Sequence, residues 1–150
     1  VRKLGIEAGI INLGGNMYCF PAPPPGKAAY EIGIRDPIAP SKPCGEIACR
    51  DIAISTSGNY ERYVVIDGRR YTHIMNVKTG MPVAGMLSVT VLTPRPTDSD
   101  WVSTSVFING PDFAEEIRKI IPGTDILVVQ DGAKGREIFR FGDIWGEIKL

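Results

Sequence analysis

No excess charge of either sign runs through this sequence of 150 residues: Lys plus Arg and Asp plus Glu number 17 each, and the net charge is zero. That balance argues against nucleic acid as a general partner and against a polybasic membrane surface, both of which draw on surplus positive charge. Long apolar runs are missing too. Nothing approaches the roughly 20 consecutive apolar residues that a membrane-spanning helix needs. Val1-Arg2-Lys3 leads into a mixed segment, so no signal peptide is read, and a start at Val1 in place of methionine suggests a processed or truncated chain. Cysteine is scarce: Cys19, Cys44 and Cys49 are three, so they cannot all pair within one chain. Cys44 and Cys49 lack Cys-x-x-Cys spacing and a nearby histidine, which disfavours zinc. They are expected to be small buried hydrophobes, since a disulfide would need an oxidising compartment. Histidine occurs once, at His73.

What is present is ordinary for a globular chain, with 43% hydrophobic and 23% charged residues, enough for one domain with a core. Val1 to Gly9 reads as the end of a helix. Ala8 to Leu13 reads as a short buried strand that runs into Gly14-Gly15, either a tight turn or a close backbone approach to a ligand. Asn16 to Phe20 is a second strand, and the proline-rich Pro21 to Gly26 a stiff connector. Tyr30 to Arg35 alternates apolar and polar residues as a half-buried strand does. After the loop Ala39 to Pro43, Gly45 to Ile54 is expected as a strand leading to a polar loop, Ser55 to Arg62. Arg62 to Ile66, the Asp67-Gly68 turn and Arg69 to Ile74 read as a hairpin. Met86 to Thr93 is the clearest strand. Two helices follow. The first is capped by Thr97 or Asp98 and stopped by Gly110. The second starts near Pro111 and sets Phe113, Ala114, Ile117, Ile120 and Ile121 on one apolar face. Ile126 to Gln130, an Asp131-Gly132 turn and Glu137 to Phe141 close the chain. This order predicts an α+β fold with a largely antiparallel sheet and two consecutive helices packed on it.

Three stretches carry oxygen- and nitrogen-bearing side chains and are expected to wall one site: Ser55 to Arg62, Tyr71 to Pro82, and Asp98 to Thr104. Asp100 and Thr104 share one face near the start of the first helix. A carboxylate and a hydroxyl at that spacing form a partial shell for Mg²⁺, with Asp98 as a further candidate; acidic capping of the helix explains the same residues without a metal. His73 has three open roles: general base, metal ligand or phosphate contact. Ser55-Thr56-Ser57-Gly58 offers hydroxyls and amides to a phosphate, without the lysine and spacing of a P-loop.

Taken in order, Ile11-Asn12-Leu13-Gly14-Gly15-Asn16, Gly33 to Pro37, Ser55 to Arg62, His73-Ile74 with Thr79-Gly80-Met81-Pro82, Ser88 to Val91 and Asp100 to Thr104 resemble the ApbE family, the FAD:protein FMN transferases. The likeness covers about Val1 to Gly110. It implies a T-fold type of architecture and Mg²⁺-dependent transfer of FMN from FAD to a Thr or Ser hydroxyl of a target flavoprotein, with AMP released. Some relatives instead hydrolyse FAD to FMN and AMP. By position, the resemblance assigns Mg²⁺ to Asp100 and Thr104, FAD contact to Ile74 and to Ser57, Gly58 and Tyr60 of the matching loop, and assistance of the transfer to His73. Two departures stand out. The family commonly has Asp-Pro where this chain has Asn76-Val77, and the family's N-terminal half, with further FAD contacts, is expected to be absent. Residues 1–150 would then be the C-terminal part of a flavin transferase domain. An isolated part of this kind is expected to be either an enzyme or a non-catalytic flavin-binding or interaction module. Open sheet edges would invite a homodimer or a complementing N-terminal half. Relatives are often periplasmic or membrane-anchored lipoproteins outside the bacterial cytoplasmic membrane; the compartment of this chain stays unknown.

Overall fold

The computed structural model describes residues 2–39, 41–133 and 135–145; Val1 and Pro40, which fall in the expected first helix and the loop before residue 43, lie outside them. The first helix shrinks to a single 3₁₀ turn, Arg2–Leu4. β1 (Ile10–Leu13) and β2 (Asn16–Cys19) form a hairpin. Gly14 and Gly15 turn it with φ of +64° and +98°, the two positive angles a two-residue hairpin turn demands. The Asn12 carboxamide oxygen accepts from the Gly15 N–H at 2.9 Å. β3 (Tyr30–Arg35) and β4 (Pro43–Cys49) make a separate ribbon. β5 (Ile52–Gly58) returns to the main sheet.

Two small ribbons follow: β6 (Tyr63–Ile66) with β7 (Arg69–Thr72), and β8 (Met75–Asn76) with β9 (Met81–Pro82). Then come β10 (Met86–Thr93), α1 (Pro96–Asn109), α2 (Pro111–Ile120), β11 (Asp125–Gly132) and β12 (Gly135–Phe141). The six-stranded sheet runs β1-β2-β5-β10-β11-β12, every neighbouring pair antiparallel. The α+β expectation holds. Among the described residues no helix is long and apolar enough to cross a membrane.

Both faces of the sheet centre are covered, which explains why all eight residues of β10 are buried. Successive side chains of a strand point to opposite faces. In β11, Ile126 and Val128 therefore join Val89, Val91, Val102, Val106, Phe107 and Ile117 under the helices. Leu127 and Val129 instead meet Ile32, Ile34, Ile47 and Trp145 under the β3–β4 ribbon. All three cysteines are buried free thiols in this second core, in keeping with their expected role.

Several expectations are corrected. The stretch Gly45 to Ile54 is two strands in different sheets, broken at Asp51, which takes a left-handed φ of +50°. Ser55 to Gly58 is strand, not loop; Ser55 and Ser57 meet hydroxyls of α1, and Thr56 pairs with the Thr90 hydroxyl of β10. β1 is exposed along its length, since it is an edge with β2 as its ladder partner. Neither Thr97 nor Asp98 caps α1. Pro96, which has no N–H to satisfy, takes the first turn behind Arg95, and Asp98 accepts from the Arg95 guanidinium at 2.7 and 3.2 Å. Ile120 lies off the apolar face of α2, 69% exposed, because α2 ends there. Asp131 and Gly132 still pair with Arg136 and Gly135, so the last turn falls beyond them.

Candidate functional site

β2 pairs with β5 only as far as Ile54, so from Ser55 to Gly58 β5 has a ladder partner on one side, β10. A cavity of about 760 Å³ opens there. Its walls come from the β1–β2 turn, the end of β3, the β5 end, the bend at His73 and the first turns of α1. The three stretches expected to wall one site all border this cavity: Ser57, Gly58, Tyr60, His73, Ile74, Asp100 and Thr104 line it. Asp98 does not; its carboxylate is taken up by Arg95.

α1 lies on β5 through hydroxyls in place of hydrocarbon. Ser55 Oγ donates to Ser99 Oγ at 2.8 Å, and Ser57 Oγ lies 2.9 Å from Ser103 Oγ and 3.2 Å from Thr104 Oγ1. Alternate positions on the strand meet positions four apart on the helix, which is the pattern a helix lying along a strand produces. Ser103 and Thr104 donate to the Asp100 carbonyl at 2.9 and 3.3 Å. Asn16, on β2, donates its amide to Asp100 Oδ1 at 3.0 Å. Sequence reasoning gave Asn16 no role. Its signal was its place directly after the Gly14-Gly15 turn, which aims it across to α1.

An exposed carboxylate and a hydroxyl on adjacent turns, with open space before them, fit Mg²⁺. That ion takes hard oxygen ligands and keeps positions for water and phosphate. Among the described residues no group of three or more His, Cys, Asp or Glu side chains gathers to hold a metal. The donor set is thus a sparse oxygen site, not a cage of nitrogen and sulfur.

His73 sits in the bend after β7, exposed, with its Nδ1 2.9 Å from the Arg62 carbonyl oxygen. A carbonyl can only accept, so Nδ1 carries the proton of this bond, and in the neutral ring the lone pair is then on Nε2. The His73 N–H bonds the same oxygen at 3.2 Å, which doubles the hold on the bend. Next to it Ile74 is buried among the residues under the helices. Arg35 and Glu61, which sequence reasoning also passed over, pair at 3.4 Å on the cavity rim; both are about half exposed, so the pair adds little stability.

Tyr60 folds its ring over Gly58, where a Cβ would meet ring carbon Cε1 at 2.6 Å. Burial pushes the Tyr60 phenol up to about 12, and the Glu61 carboxylate adds to the shift. Gly58→Ala is therefore expected to drive the ring toward solvent, costing about 1–2 kcal/mol. In an ultraviolet titration the most alkaline tyrosine transition should move down. An unmoved transition in a folded variant would mean the ring does not depend on the glycine.

Asn76 answers one departure noted above. Its side-chain oxygen accepts from the Lys78 N–H at 2.9 Å, and its carbonyl accepts from the Thr79 and Gly80 N–H groups at 3.2 and 2.8 Å. It shapes the β8–β9 turn, as an aspartate would. Asn76→Asp is expected to change unfolding free energy by less than about 0.5 kcal/mol. A urea titration showing a larger change would give the amide nitrogen a role.

Residues 1–128 match the ApbE family. The chain is 32% identical over 133 residues to the FAD:protein FMN transferase of Treponema pallidum (strain Nichols), covering 83% of this chain and 37% of that protein. It is 31% identical over 138 residues to the enzyme of the same name from Vibrio cholerae, covering 89% and 41%. Among solved structures, an ApbE protein from Thermotoga maritima superposes with a TM-score of 0.75 at 34% identity, covering 88% of this chain and 42% of that one. The flavin transferase ApbE of Vibrio cholerae superposes with a TM-score of 0.75 at 26% identity, covering 93% and 44%. The chain thus spans less than half the length of these relatives.

Proposed function

The chain belongs to the ApbE family, and from that membership we propose that its cavity is part of a site that transfers FMN from FAD to a Thr or Ser hydroxyl of a target flavoprotein, releasing AMP. The observation that carries this reading is the convergence of Asp100, Thr104 and His73 on one cavity large enough for part of a dinucleotide. Asp100 and Thr104 would hold Mg²⁺, which when bound offsets the charge of the pyrophosphate as its P–O bond breaks. The Asn16 amide fixes the Asp100 carboxylate and leaves its second oxygen unused by that bond. The Arg62 carbonyl holds the proton on His73 Nδ1, so Nε2 is the nitrogen that takes the proton of the incoming hydroxyl. Tyr60, stacked over Gly58, and Ile74 supply apolar wall for the flavin nucleotide.

A second reading draws on the exposure of His73: water reaches the same nitrogen, and FAD pyrophosphatase activity follows from the same site without an acceptor. A third is a flavin-binding or interaction module without catalysis, in which the same cavity holds the flavin nucleotide and His73 moves no proton. The test is AMP release from FAD with Mg²⁺, with and without an acceptor flavoprotein. Flavin bound covalently to the acceptor supports transfer. AMP formed equally in both arms supports hydrolysis. No AMP from the folded chain, with FAD still bound, leaves the module.

A further inference from the structure

Cys19 and Cys49 do not face each other in any ladder: Cys19 pairs with Ile10 and Ile52, and Cys49 pairs with Tyr30. Packing of the β3–β4 ribbon on the sheet nevertheless brings their sulfur atoms within 3.8 Å. Both are buried, Cys19 completely. The strand ends that carry them are tied by a second bond, from the Asp51 N–H to the Phe20 carbonyl at 3.2 Å. Cys44 shares the same apolar core without a sulfur partner among the described residues.

We propose that Cys19 and Cys49 are a redox-responsive pair that closes to a disulfide and staples the β3–β4 ribbon to β2 of the main sheet. With a small disulfide such as oxidised glutathione as oxidant, one cysteine thiolate attacks a glutathione sulfur and expels the first glutathione thiolate. The other cysteine loses its proton to solvent and displaces the second glutathione from the mixed disulfide. Two cysteine thiols are oxidised, one disulfide is reduced to two thiols, and the balance closes. Burial pushes the Cys49 thiol up to about 12 and raises Cys19 as well. Thiolate is therefore scarce in the closed fold, and exchange waits on local opening of the ribbon. Closure is slow for that reason, and the finished bond is shielded from reductant. The ribbon matters to the cavity, because Ile32 to Arg35 of β3 line it. This inference stands apart from the proposed function.

The experiment equilibrates the chain with glutathione buffers of graded oxidation, then acid-quenches it, alkylates it in denaturant and maps the modified peptides. Reduced chain should alkylate at all three cysteines, and oxidised chain at Cys44 alone, with a Cys19–Cys49 linked peptide. The oxidised form should melt roughly 10 °C higher, since the bond closes a loop of about 30 residues. Cys44→Ser should keep both effects and Cys19→Ser should lose both. Three alkylated cysteines at the most oxidising ratio, a link through Cys44, or equal melting of the two forms would each overturn the proposal.

Discussion

Asp100→Ala is expected to lower the proposed Mg²⁺-dependent release of AMP from FAD by about 10²-fold or more, while thermal stability changes little. Charge neutralisation by a held metal is worth several kcal/mol at a developing phosphate charge, which sets the scale. The carboxylate is exposed, and among the described residues its side chain has one modest partner, Asn16 at 3.0 Å. Removing it leaves an exposed amide that water can satisfy, so the fold has little to lose. Raising Mg²⁺ should recover part of the rate, because Thr104 remains. AMP release that persists within about threefold in the variant would remove Asp100 from the proposed metal site and leave it as the acceptor for the Asn16 amide.

Phe107→Ala is expected to destabilise the fold by about 3–5 kcal/mol, the usual cost of emptying an aromatic site in a core. Phe107 is fully buried, among Val89, Val91, Val106, Ile117 and Val128. It presses α1 onto the sheet from below, on the helix that carries Asp100 and Thr104. For a chain of this size the melting temperature should fall by roughly 10 °C. A urea midpoint showing a loss below about 1.5 kcal/mol would mean that α1 and α2 collapse into the space.

The elements legible in the sequence were those whose signal is local. β10 has a β-branched run that Pro94 and Pro96 stop, α1 and α2 are parted by Gly110 and Pro111, and the β6–β7 hairpin has its Asp-Gly turn. The second core was not legible, because Ile32, Ile47 and Trp145 meet Leu127 and Val129 only after long stretches of chain intervene. Ser55 to Ser57 misled for a related reason. A polar strand looks like a loop until its partner helix is seen to be polar on the facing side. The site was legible as three walls, and the structure joins them in one cavity. Asn16 and the Arg62 carbonyl were not, since each acts by aiming another residue, and main-chain oxygens leave no mark in a sequence.

The hydroxyl contacts between β5 and α1 have a metric consequence. Oxygen atoms joined by a hydrogen bond stand 2.8–2.9 Å apart here, whereas carbon atoms in contact stand about 3.5–4.0 Å apart. Hydroxyl pairs therefore let the helix approach this strand more closely than a row of carbon contacts would. Small polar side chains act as a calibrated spacer, and the height they set is the height at which Asp100 and Thr104 reach the cavity.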